Sequence, residues 1–120
     1  PVMVDDLEKH FFAIVGRELP KHAEVHVRRE SDDICIYADW KLGNDPKRPN
    51  KRSKKIKICI SRAAVDDYTD GSEQNRKSAD EKLRRIVAAR IKAFNPDHNV
   101  PAHVPVPIEQ WTITTEMLNA

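Results

Sequence analysis

Glycine is scarce in this 120-residue chain: Gly16, Gly43 and Gly71 are the only three. No glycine-rich phosphate cradle can be built from residues so far apart, which excludes nucleotide enzymes of the Rossmann and P-loop kinds. Cysteine is scarcer still. Cys35 and Cys59 each stand in an alternating apolar run rather than in a close-spaced pair, a pattern that predicts reduced structural thiols and neither a disulfide scaffold nor a zinc knuckle. No apolar run approaches the roughly 18–20 residues that cross a bilayer. The N-terminal residues also lack the basic-then-apolar pattern of a secretion signal, so no membrane insertion and a cytoplasmic location are expected.

What the chain has in quantity is charge. Charged residues make up 33% and apolar residues 39%, against about 25% and 45–50% in an average globular protein. A modest core under a heavily charged surface follows, and the length suits one domain spanning residues 1–120.

Residues 4–19 place Val4, Leu7, Phe11, Ile14, Val15 and Leu19 at three- and four-residue steps, with Asp5, Asp6 and Glu8 where a helix dipole favours negative charge. This is an amphipathic helix, ended by Pro20. Ala23, Val25 and Val27 then alternate with polar residues, as do Ile34, Ile36, Ala38 and Trp40, the period of half-buried strands. A turn at residues 30–33 joins the two strands. Residues 42–54, with Gly43, Pro46 and Pro49, read as a long mobile loop before a third strand carrying Ile56, Ile58 and Ile60.

A short helical turn through about Tyr68 follows, broken at residues 70–72. Ser78 and Glu81 have the spacing of a capping box for the second main helix, with Ser72 as an earlier alternative start. Leu83, Ile86, Val87, Ile91 and Phe94 form that helix's stripe, and Pro96 ends it. Pro96, Pro101, Pro105 and Pro107 make residues 95–107 an extended connector, and the β-branched and aromatic residues 108–115 a last strand. The predicted fold is α+β: a two-layer sandwich of order α-β-β-β-(short α)-α-β, with a mainly antiparallel sheet and both main helices on one face. The other face carries His26, Cys35, Tyr37, Asp39, Lys57 and Cys59, which calls for cover from the connector or a second subunit.

The charge is unevenly placed. Lys41, Lys47, Arg48, Lys51, Arg52, Lys54, Lys55, Lys57 and Arg62 share 22 residues with one acid, Asp45, so this window carries +8; since the whole chain is +2, the other 98 residues carry −6. Such a segment suits phosphate backbones, because neutralising phosphates releases condensed counterions whatever the base sequence. Aromatic platforms for stacking single-stranded bases are missing between Gly43 and Lys55, so contact would be electrostatic, to DNA or RNA. Arg76, Lys77 and Arg85 on the second helix add to the candidate surface. Arg76, Lys77 and Lys82 near that helix's start, with the order helix, three strands, helix, resemble double-stranded-RNA-binding domains; the loop between the first two strands does not match that family, and here a further strand follows.

Catalytic and metal patterns fare less well. Asp39-Trp40-Lys41 has the carboxylate and lysine spacing of the PD-(D/E)XK nucleases, which the element order also resembles. That resemblance implies a second carboxylate to share Mg²⁺, yet Asp33 is six residues away, roughly 20 Å along a strand, and the next strand offers Lys55 and Lys57. His22 and His26 are about 13 Å apart on an extended chain, and His98 and His103 have no cysteine or acid cluster beside them. Asp66 resembles the start of a calcium loop, but Tyr68 and Lys77 fill its third and twelfth positions. A redox role for the two thiols would need a neighbour that lowers a thiol pKa, for which only Lys57 and His26 are candidates. The sequence therefore predicts a non-enzymatic binding domain, without catalytic residue, metal or cofactor, that meets nucleic-acid phosphates through residues 41–62. The alternatives are a protein-interaction or inhibitor-like domain that pairs with itself or a partner through the sheet, and a metal-dependent nuclease.

Overall fold

Two alternating runs joined by a tight turn set the architecture. In the computed structural model, which describes residues 6–120, Ser31 and Asp32 both adopt positive φ, 51° and 69°. Two left-handed residues in succession form the hairpin turn whose twist matches that of the flanking strands. It fixes the register of β1 (Glu24–Glu30) against β2 (Asp33–Asp39), from Glu30 opposite Asp33 to Glu24 opposite Asp39. β3 (Lys55–Ile60) pairs antiparallel with β2, placing Ile34, Ile36 and Ala38 opposite Ile60, Ile58 and Ile56.

The chain then leaves the sheet. α2 (Arg62–Asp70) is capped by the Ser61 hydroxyl, which accepts from the Ala64 amide. α3 (Glu73–Ala93) runs back the length of β3, so β4 (Ile108–Ile113) starts at the same end as β3 and pairs with it in parallel. The result is a four-stranded mixed, mostly antiparallel sheet in the order β1-β2-β3-β4, with α1 (Asp6–Glu18) and α3 packed together. A short α4 (Thr115–Asn119), capped by Thr114, follows β4, an element that the sequence pattern does not announce.

The α+β order and the assignment of faces agree with the sequence reading. Phe11 and Val15 of α1, Leu83 and Val87 of α3, and Ile34, Ile36, Ile56, Ile58 and Ile60 of the sheet are all essentially excluded from solvent. Each buried side chain of this size stabilises the fold by about 1.5–3 kcal/mol. Trp40 and Trp111 close the core at the other end, both edge-on to Phe94.

Two boundaries differ. α3 begins at Ser72, whose hydroxyl accepts from the Asn75 amide at 3.1 Å, and not at Ser78, which lies within the helix. β4 ends at Ile113, two residues short of the expected limit. Val4 and Asp5, assigned to the first helix, lie outside the described residues. Glu8, read as a dipole partner of α1, is buried and accepts from Arg29 at 2.9 Å, which ties the helix to the edge strand.

Candidate nucleic-acid interface

Beyond Asp39 the second and third strands continue as an extended hairpin. Lys41 bridges to Arg52, the Leu42 amide donates to the Lys51 carbonyl at 2.9 Å, and the Ser53 amide to the Trp40 carbonyl at 2.7 Å. Ser53 is buried, and its hydroxyl accepts from the Trp40 amide while donating to the Lys54 carbonyl. At the tip, Asp45 accepts from the Lys47 and Arg48 amides, at 3.0 Å each.

The loop expected to swing free at residues 42–54 is therefore tied down, and the proline-rich connector ties it. The Lys54 amide donates to the Pro96 carbonyl, Lys51 pairs with Asp97 at 3.0 Å, and the Arg48 guanidinium donates to the Val100 carbonyl at 2.8 Å. His98 acts as a pin: Nε2–H donates to the Arg52 carbonyl at 2.8 Å, and Nδ1 accepts from the Val100 amide at 3.1 Å. These two bonds select the neutral Nε2–H tautomer. A shallow groove of about 430 Å³ runs between the two segments, with Arg48, Lys51 and Arg52 on one wall and Ala102 and Val106 on the other.

The predicted cations divide into groups. Arg48, Lys51 and Arg52 build the hairpin, and Lys54 lies over the Phe94 ring, 5.2 Å from its centroid. Lys41, Lys47 and Lys55 stand at the same end with no carboxylate partner among the described residues. Lys57 faces the open side of the sheet and pairs with Glu30. Arg62 lies at the far end of β3, near Asp32 and Asp66.

Arg76 and Lys77 sit in the first turns of α3, about 27 Å along the helix axis from Phe94 at 1.5 Å per residue, and Arg85 holds Glu81. The helix therefore does not bring those three cations to the hairpin. It brings instead Arg90 and Lys92, both exposed, near its other end. The return of α3 along β3 is what puts that end beside the lysines.

The connector's hydrogen bonds run to the hairpin and to the start of β3, and the open sheet face has a polar network of its own side chains. Glu30 accepts from the Tyr37 hydroxyl, from Lys57 at 3.0 Å and from Arg28 at 3.2 Å. Those donors, Tyr37 first and then Lys57, hold the Glu30 carboxyl down at about 2. The His26 ring stacks on Tyr37, nearly parallel at a centroid distance of 5.0 Å. In the next row Cys35 and Cys59 face each other, both buried, with one thiol hydrogen-bonded to the other. Burial pushes the Cys35 thiol up to about 12 and raises that of Cys59. Protonated, enclosed thiols are packing groups and poor nucleophiles.

Asp39 is also spoken for. Arg52 donates to both of its oxygens, at 2.9 and 3.0 Å, and reaches Glu24 at 3.2 Å. Glu24 is the second carboxylate beside Asp39 that the sequence reading missed, although the hairpin register contains it. A guanidinium fills the space between the two acids that a divalent ion of a nuclease would take.

A second polar cluster joins three helices: the Tyr68 hydroxyl donates to Asp80 at 2.9 Å and lies 2.8 Å from His10 Nε2. Among the described residues no three His, Cys, Asp or Glu side chains come together as a metal site, and no helix is long and apolar enough to cross a membrane. No protein-family model, curated protein or solved structure matches the chain.

Proposed function

We propose that this chain is a non-enzymatic nucleic-acid-binding domain that contacts phosphates through its basic end. One observation carries the reading: Lys41 and Lys47, both exposed, project from a hairpin that Arg48, Lys51, Arg52 and His98 hold in place, Lys55 opens β3 beside them, and none of the three lysines has a carboxylate partner among the described residues. Fixing the scaffold beforehand lowers the ordering cost that a floppy arm incurs on binding. Trp40 is buried and Phe94 is turned against it, so this end presents no base-stacking platform. Recognition is then electrostatic and tolerant of sequence, for DNA and RNA duplexes alike.

Fluorescence anisotropy with duplexes of about 20 base pairs tests this. Three phosphate contacts give a log–log salt slope near −2.7, hence about a 40-fold loss of affinity between about 50 and 200 mM salt. Replacing Lys41, Lys47 and Lys55 together by Gln flattens the slope, whereas Arg76→Gln and Lys77→Gln leave it unchanged. Absence of binding at 50 mM salt, or an unaltered slope in the triple variant, removes the proposal.

A further inference from the structure

The two edges of the sheet are treated differently. β1, at one edge, carries Glu24, His26, Arg28, Arg29 and Glu30 among its seven residues, the charged protection that keeps edges from pairing. β4, at the other, has one charged residue, Glu109, whose carboxylate accepts from the Trp111 indole at 2.8 Å.

The outward groups of β4 follow from its ladder. The Lys55 amide donates to the Pro107 carbonyl and the Ser61 amide to the Ile113 carbonyl. With a period of two, Glu109, Trp111 and Ile113 turn their backbone groups to β3, and Ile108, Gln110 and Thr112 turn theirs away from the sheet. Ile108 is 56% exposed and Val104, just before the strand, 41%; they are the two exposed large hydrophobic side chains among the described residues.

We infer that β4 is a self-pairing edge, through which two copies of this chain join antiparallel about a two-fold axis at Gln110. In that register Ile108 of one copy lies opposite Thr112 of the other, and the Gln110 residues face each other. The outward backbone groups form three hydrogen-bonded pairs, six main-chain bonds in all. Glu109 falls opposite Trp111, so the two Glu109 carboxylates do not meet head-on, and the strand pairs with its own copy in register without placing like charges opposite each other. A contact of this symmetry closes at two copies. It continues the sheet to eight strands and leaves the two basic ends pointing in opposite directions. One six-residue edge is small beside the roughly 1,200–2,000 Å² of stable interfaces, which makes the dimer a micromolar one.

Sedimentation velocity from about 1 to 200 µM protein reads this directly, micromolar affinity placing the transition in that range. The intact chain shifts from monomer to dimer across the range, and the shift survives about 0.5 M salt, since main-chain bonds hold the pair. Gln110→Pro removes an amide that the chain does not use internally, so the variant keeps its thermal unfolding midpoint and stays monomeric throughout. Thr112→Lys, a charge at the edge, also weakens the dimer without unfolding the monomer. A wild-type chain monomeric at 200 µM, a dimer dissolved by salt, or a Gln110→Pro variant that dimerises like the parent overturns the inference.

Discussion

Glu24 and Asp39 stand directly opposite each other on β1 and β2 and bind one and the same guanidinium, that of Arg52. The group that fastens the basic hairpin to the sheet therefore also offsets part of the negative charge of the two acids it binds. Arg52→Ala leaves a half-buried carboxylate without its donors, and a loss of about 1–3 kcal/mol in urea unfolding at neutral pH is expected. Arg52→Lys recovers only part of it, because an ammonium cannot reproduce the two-pronged contact with Asp39.

Glu30 gives the fold a dependence on acid. Its carboxyl is held at about 2 against an ordinary 4.5, so the folded state releases that proton more readily than the unfolded one. The stabilisation is fully present above pH 4.5 and disappears as pH falls toward 2. Denaturation curves of the parent and Glu30→Gln chains will differ at pH 6 and converge near pH 2; a gap independent of pH would contradict the assignment.

The thiols will be silent in the native chain. With Cys35 pushed up to about 12, its thiolate fraction at neutral pH is about a thousandfold below that of a free thiol. A thiol reagent such as DTNB will label neither cysteine until denaturant is added, and then both. Rapid labelling of the folded protein would show that the row is open.

The helix start separates two serines that look alike in sequence. Ser72→Ala removes the hydroxyl that accepts from Asn75 and is expected to cost about 1 kcal/mol, while Ser78→Ala, inside the helix, stays within about 0.5 kcal/mol of the parent. Thermal unfolding of the two variants measures both. The spacing of Ser78 to Glu81 also satisfies the capping pattern, and the polar residues 73–77 contain no apolar stripe to announce a helix.

The same contrast runs through the molecule. Alternation in Ile34, Ile36, Ile56 and Ile58 was enough to assign both sheet faces, because a period of two leaves no other choice for a half-buried strand. The pairing of Glu24 with Asp39 was legible too, once the turn is reduced to Ser31 and Asp32. What the sequence did not disclose is where separate segments meet. Lys51 reaches Asp97 across 46 positions and Arg48 reaches Val100 across 52. A run of cations between prolines therefore looks like a free arm until the connector is laid against it. Nor does composition tell that Arg76 and Lys77 lie at the far end of α3 from that hairpin; only the direction of the helix does.

Phosphate binding at the basic end is tested most directly by mapping amide resonances during titration with a short duplex. Shifts concentrated at residues 41–55 and 95–100, fading as salt rises, are the predicted result. A spectrum that does not move, or one that moves at α2 and the start of α3 instead, contradicts it.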